Sequence, residues 1–244
     1  MKFSKQLPLD FDSRPARGRE DFFVTKSHAQ VLARLDAWPH WVNGQLAIFG
    51  PALSGKSHLA SVHHERLLQD PKLAVRTSWV EASNLKDTAW DALGGAHIVL
   101  DGVDDKTDAQ SLFHLLNWQR EHNGSLLITS REAPARIAFP IADLCSRLRG
   151  LDAVSIREPD EDLFRFLLLK HLSDFQVDGK EALVSFLALR TERTYAAAYE
   201  VVRIMYRLAF RRRSHKLTVP LAKEALSVYE SERSGVAASG AIES

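Results

Sequence analysis

A chain of 244 residues, 45% hydrophobic and 26% charged, has the size and composition of one large or two small globular domains. Its 32 lysines and arginines stand against 31 acids, a formal net charge of +1, so any contact with nucleic acid or an anionic membrane must come from a local patch. A single cysteine, Cys145, excludes an internal disulfide framework and a cysteine-based zinc cluster.

No apolar run approaches the ~18 residues of a membrane span, and none of signal-peptide length follows Met1. A soluble cytoplasmic protein is expected. Residues 1–20 carry a short apolar stretch and then polar residues with Arg14, Pro15, Arg17, Gly18 and Arg19, without helical or strand period. They read as a flexible arm. Asp21-Phe22-Phe23-Val24 opens the folded part, and Val31, Leu32, Leu35 and Trp38 recur at helical spacing up to Pro39.

Strands and helices then alternate. The run Leu46-Ala47-Ile48-Phe49 ends at Gly50 and is followed by a helical stretch over 56–69. Further strands are predicted at 75–80, 98–100, 126–128 and 154–156. Between the third and fourth, a helix over 107–122 aligns Leu112, Leu115, Leu116 and Trp118. Short, fully apolar strands separated by helices predict a parallel sheet covered on both faces. After Pro159 only helical periodicity remains, at 161–171, 180–189, 195–213 and 221–229. The expected organisation is an arm (1–20), an α/β nucleotide-binding domain (21–158), a small all-α lid domain (159–232) and a disordered Ser/Gly/Ala-rich tail (233–244).

The segment Gly50-Pro51-Ala52-Leu53-Ser54-Gly55-Lys56-Ser57 matches G-x-x-x-x-G-K-[ST] between an apolar strand and a helix. Glycines let the backbone curl so that successive N–H groups point at phosphate oxygens, and the following helix adds its positive end. Gly50, Ser54, Gly55, Lys56, Ser57 and His58 are therefore candidate nucleotide-binding residues. Lys56 is expected to reach the β- and γ-phosphates and Ser57 to ligate Mg²⁺. Such a loop needs a metal-positioning carboxylate at a neighbouring strand end, and His97-Ile98-Val99-Leu100-Asp101 supplies Asp101. Many ATPases of this architecture place a second, water-activating acid next; here it is Gly102, with Asp104 and Asp105 nearby. Nucleotide binding is expected, self-sufficient hydrolysis is not.

The order of parts resembles the AAA+ class: loop, Asp strand, the polar strand end Thr129-Ser130, an arginine at a helix end, then a helical lid. Within it the chain resembles the DnaA family of replication initiators, most closely its short members. The carriers are Asp21 to Val24, Gly50 to Ser57, His97 to Asp104, Leu126 to Pro134, Asp143-Leu144-Cys145-Ser146-Arg147-Leu148 and Lys216-Leu217-Thr218-Val219-Pro220. The resemblance implies that Phe22, Phe23 and Val24 lie near adenine and that Thr129 or Ser130 is a first sensor. It implies Arg193 as a sensor arginine on the bound nucleotide's phosphates. Arg147 would be an arginine finger directed at a neighbour's nucleotide, with Arg149 as the competing residue. Ser130-Arg131 departs from the family's Ser-Asp. No DNA-reading helix-turn-helix fits between the lid and Ser244, so origin recognition through one is not expected.

Gln6-Leu7-Pro8-Leu9-Asp10-Phe11 resembles the clamp-binding peptide of bacterial replication proteins. Gln6 would hydrogen-bond at a pocket rim while Leu7, Leu9 and Phe11 supply apolar anchors, with Pro8 limiting the ordering cost. Together these resemblances imply a negative regulator of replication initiation. It would hold ADP or ATP with Mg²⁺, ride on the DNA-loaded sliding clamp, touch DNA only through the clamp, and stimulate hydrolysis of DnaA-bound ATP. Its ADP form would be the active one, its own ATPase weak, its location the bacterial replisome, and a homo-oligomer is open. The rivals are an active AAA+ ATPase, such as a helicase loader or remodelling machine, and a P-loop kinase.

Other residues carry less. Arg203, Arg207 and Arg211, followed by Arg212, Arg213, His215 and Lys216, make a basic helix face, read as solvated or as a contact for phosphate or an acidic partner. His63, His64 and His171 lack partners at metal spacing. Cys145 is expected to be a small buried side chain, and Trp79, Trp90 and Trp118 to pack in cores.

Overall fold

The structure, a computed structural model, describes residues 26–88, 97–174, 181–214 and 216–240. The clamp-type peptide, Phe22 to Val24, Trp90 and His215 lie outside them. The described residues form two compact units: one takes the chain up to Phe49 and Gly55–Ile156, the other Gly50–Ser54 and the chain from Arg157 onward. No helix among the described residues is long and apolar enough to cross a membrane.

The first unit runs α1 (Lys26–Asp36), β1 (Gln45–Phe49), α2 (Lys56–Leu68), α3 (Pro71–Ala74), β2 (Thr77–Glu81), β3 (His97–Val103), α4 (Ala109–Glu121), β4 (Ser125–Ser130), α5 (Ala142–Arg149) and β5 (Ala153–Ser155). The five strands form one parallel sheet in the order β2-β3-β4-β1-β5. Every residue of β4 is buried, as are Leu46, Ala47 and Ile48 of β1 and Ile98, Val99 and Leu100 of β3. Helices cover both faces, which is why these strands read as unbroken apolar runs. One face packs Leu112, Leu115 and Leu116 of α4 and Leu144 and Leu148 of α5 on Leu100, Leu126 and Ile128.

The second strand starts later than predicted. Asp70 caps α3 by accepting from the Lys72 N–H at 2.9 Å, with Pro71 in the first helical turn. Val75 closes that turn at 78% exposure, and β2 begins only at Thr77. Because β2 is the sheet's edge, Trp79 is half-buried rather than in the core, its Nε1 donating to Glu81 Oε1 at 2.6 Å. Trp118 is also half-buried: it leans on the core and stacks on His122 at 4.3 Å. Cys145 is half-buried too, its Sγ 3.4 Å from the Phe139 carbonyl oxygen.

At the strand starts His63 is buried between Trp38 and Trp41, at ring distances of 6.0 and 5.0 Å. Trp38 Nε1 donates to Ser125 Oγ at 3.1 Å, and His97 Nδ1 lies 2.9 Å from the same hydroxyl. Burial pushes the His63 pKa down to about 4, so the ring is neutral at physiological pH.

The second unit contains α6 (Glu161–Asp174), α7 (Glu181–Ala188), α8 (Tyr195–Arg211) and α9 (Val219–Gly240). Thr194 caps α8 by accepting from the Ala197 N–H at 3.0 Å. Ala198, Val201, Val202, Met205, Leu208 and Ala209 then bury a 3.6-period stripe against Phe164, Leu168 and Leu183. The predicted tail begins too early, since α9 continues to Gly240. Arg233, 2.5 Å from Glu192 and over the Tyr229 ring, anchors that continuation. Three arginines of the basic stretch in and just after α8 meet acids. Arg203 pairs with Glu200 (2.7 Å), Arg207 with Glu232 (2.5 Å) and Arg212 with Glu224 (2.5 Å).

Candidate functional site

The loop from Gly50 to Ser57 joins β1 to α2 at the carboxyl end of the sheet, where open α/β sheets bind ligands. Its backbone turns through Leu53 (φ 60°) and Gly55 (φ 89°), two left-handed positions, and Gly55 caps α2 by accepting from the Leu59 N–H at 2.9 Å. The positive end of α2 therefore lies at Gly55 and Lys56. Leu53 pays steric strain for that curl and is 57% exposed, so no core contact explains its conformation.

Three sequence-predicted residues meet at the carboxyl ends of β3 and β4. Ser57 Oγ donates to Asp101 Oδ1 at 3.0 Å. Thr129 Oγ1 donates to the same oxygen and accepts from the Gly102 N–H at 2.9 Å. They come from α2, β3 and β4, brought together by the β3–β4 pairing. That pairing matches Leu100 with Ile128 and then Val103 with Ser130, so β3 carries one extra residue at Asp101-Gly102. The bulge puts Gly102 at φ 84°, exposed, with nothing within 4 Å of where a Cβ would stand. Ser57 and Asp101 offer two hard oxygens, the donor set of a Mg²⁺ that takes its other ligands from phosphate and water, and the residues fit that ion. Among the described residues no cluster of three or more His, Cys, Asp or Glu could hold a metal without such help.

Asp104, the nearest acid in sequence after Gly102, is engaged locally through Oδ1. Its carboxylate accepts from the Lys106 N–H at 3.0 Å and from Thr107 Oγ1 at 3.2 Å, closing its own turn ahead of α4. Asp105 is exposed.

Arg131, which the sequence shows only as a departure, is exposed and carries its charge close enough to act on Lys56. It follows Ser130, which is paired with Phe49, the residue before the loop. The Lys56 ammonium is pushed below its ordinary pKa, first by burial and then by the positive charge of Arg131, while Asp101 pulls the other way. Two cations beside one carboxylate leave an excess of positive charge, suited to an anion such as a phosphate.

Arg147 lies in the last turn of α5, a helix that periodicity did not reveal. Its guanidinium meets Asp143 and Asn117 and covers the Phe113 ring. Arg149 is exposed and, among the described residues, bonds to the Cys145 carbonyl at 3.2 Å. In the other unit Arg193 is 58% exposed and faces Glu161 at 3.8 Å. The signal for Asn117 and Phe113 was their i, i+4 spacing on α4, indistinguishable in sequence from an ordinary solvated face.

By sequence the chain matches no protein-family model and no curated protein. By structure it is similar to domain III of the Thermotoga maritima replication initiation protein DnaA, with a TM-score of 0.70 at 17% identity, over 88% of this chain and 97% of that one. AMPPCP-bound DnaA from Aquifex aeolicus gives 0.61 at 18% identity, over 83% of this chain and 68% of that one. The fold is a DnaA-like AAA+ fold. The Thermotoga maritima RuvB Holliday junction branch migration motor, at 0.55 and 13% identity over 86% of this chain and 69% of that one, shares the wider AAA+ architecture. Within this fold the loop, Asp101 and Thr129 occupy the carboxyl ends of β1, β3 and β4.

Proposed function

We propose that this protein resembles Hda in function, as a negative regulator of replication initiation that binds ADP or ATP itself and promotes hydrolysis of ATP held by DnaA. The observation that carries the reading is an asymmetry. The chain's own phosphate loop keeps its binding groups, Lys56, Ser57, Asp101 and Thr129. Yet the position of a water-activating acid is Gly102, on an exposed bulge, and Asp104 Oδ1 accepts hydrogen bonds within its own turn. A subunit that holds nucleotide but turns it over poorly is suited to act on another subunit's triphosphate.

In that action Lys56 and the amides at the start of α2 bind the protein's own phosphates, and Ser57 with Asp101 would hold Mg²⁺, which neutralises phosphate charge when bound. Arg147 presents its guanidinium to the triphosphate of the partner. Water attacks the partner's γ-phosphorus, the bond to the ADP oxygen breaks, and Arg147 stabilises the charge on the transferring group. The peptide Gln6, Leu7, Leu9 and Phe11 tethers the protein to the DNA-loaded clamp, raising its local concentration near the initiator. Both partners are inferred from the sequence resemblance, and the DnaA-like fold agrees with it.

Hydrolysis of DnaA-bound ATP, followed with and without DNA-loaded clamp and this protein, tests the reading. Stimulation that needs all three components and disappears with Arg147→Ala supports it. Stimulation that survives Gln6→Ala with Leu9→Ala removes the clamp tether. Turnover of ATP by this chain alone near 1 s⁻¹, an ordinary enzyme rate, favours an active ATPase instead.

A further inference from the structure

The Arg147 side chain is held, not trailing. Nε and Nη2 both stand 3.2 Å from Asp143 Oδ2, Nη1 donates to Asn117 Oδ1 at 2.6 Å, and Cζ lies 4.8 Å from the centre of the Phe113 ring. Asp143 is one turn back on α5. Phe113 and Asn117 are one turn apart on α4 and share a face. A guanidinium has five N–H donors in a fixed plane. Two are hydrogen-bonded here, on Nε and Nη1, and Nη2 forms an ion pair with Asp143, which leaves at least one N–H on each terminal nitrogen, enough for a bidentate phosphate contact. The side chain keeps 31% of its surface exposed.

The character of the partners decides whether this cradle presents the arginine or withholds it. Asn117 is neutral and orients the guanidinium without cancelling its charge. Phe113 offers its ring face, which favours a cation and fixes the plane. Asp143 is the one acid, and at 59% exposure its grip is screened by water and yields to a more highly charged phosphate. A withholding device would need a buried carboxylate, and the cradle has none. Arg149 has no such support beyond a carbonyl of its own helix.

We infer that Phe113 and Asn117 are positioning residues that preset Arg147, making the α4–α5 face a receptor for the terminal phosphate of a nucleoside triphosphate held by another P-loop subunit. The inference rests on the proposed action of Arg147 in trans. Its physical basis is preorganisation: a long side chain already oriented loses less freedom when the transition state forms, so the gain appears in the maximal rate rather than in association.

The test is the DnaA assay above, with the rate measured against the concentration of this protein. Asn117→Ala lowers the maximal rate about tenfold while the half-saturating concentration, ADP affinity and melting temperature stay near wild type. Phe113→Leu lowers it several-fold, and Phe113→Tyr, which restores a ring face, recovers it. A merely structural role would move stability and half-saturation together and would not be rescued by tyrosine. Full maximal rate in Asn117→Ala and Phe113→Leu, with Arg147→Ala inactive, overturns the positioning role alone. Full rate in Arg147→Ala overturns the finger and its cradle, and absence of stimulation by the wild-type chain overturns the proposed function together with this inference.

Discussion

Ser57 Oγ and Asp101 Oδ1 are 3.0 Å apart, and that carboxylate oxygen also receives the hydroxyl of Thr129. One atom of β3 thus ties the start of α2 to the end of β4, and the three candidate groups for a nucleotide-bound Mg²⁺ stand within hydrogen-bond reach of one another. Asp101→Asn keeps an oxygen acceptor and removes the charge. ADP affinity measured by calorimetry in Mg²⁺ should fall about tenfold, roughly 1.4 kcal/mol, with affinity in a chelator little changed. An equal fall in both conditions would mean that Asp101 does not meet the ion.

Lys56 feels opposing charges, Arg131 lowering its pKa after burial and Asp101 raising it. Lys56→Ala should weaken ADP and ATP by tenfold or more, since a phosphate loop loses its one ammonium. Arg131→Ala should weaken binding less, and Arg131→Asp more than alanine, because a carboxylate there repels phosphate. Titration with a fluorescent nucleotide at several salt concentrations checks the order. Indifference to Arg131→Asp would place that guanidinium outside the site.

Gly102 occupies a left-handed position that glycine alone adopts without cost. Gly102→Ala should lower stability by about 1 kcal/mol, and Gly102→Asn by less, because asparagine tolerates that conformation. Since open space surrounds the site of a Cβ, sterics add nothing further. Gly102→Glu should fold and still hydrolyse ATP slowly, because the bulge directs the new side chain outward. Chemical denaturation and single-turnover hydrolysis are the measurements, and restored turnover in Gly102→Glu would refute the geometric half.

His63 links pH to stability. Burial, followed by the charges of Arg66, His97 and His64, holds its pKa at about 4, against 6.5 for a free imidazole, with Asp36 opposing. The folded value is depressed, so the contribution of the neutral ring is complete above pH 6.5 and is lost progressively as the pH falls towards 4. The loss is on the order of 3 kcal/mol. His63→Phe, which can still pack between Trp38 and Trp41, should flatten the decline in unfolding free energy across that window. An unchanged slope would show that His63 titrates normally.

The α/β architecture could be read from the order of residues because of its physics. Strands covered on both faces must be apolar throughout, so 46–49, 98–100 and 126–128 announced themselves, and the phosphate loop needs its glycines and lysine contiguous in the chain. Errors came where exposure or capping overrides that pattern. Val75 is apolar but finishes a capped turn, Trp79 is on an edge strand, and α5 is too short and polar a helix for periodicity to reveal. The Ser/Gly/Ala run after 232 has the composition of a tail, but Arg233 docks on Glu192 and Tyr229 and α9 continues.

Local order along the chain was thus enough for the parallel sheet and the helical second unit, and it singled out Lys56, Ser57, Asp101 and Thr129 as candidates, because each of those features depends on neighbours in sequence or on strand ends. The strand order β2-β3-β4-β1-β5, the extra residue at Asp101-Gly102, the charge of Arg131 beside Lys56 and the hold of Asn117 and Phe113 on Arg147 came only with the folded chain. Each is a meeting of residues tens of positions apart, and nothing short of the packed sheet and helices fixes the distances on which hydrogen bonds and charge interactions depend.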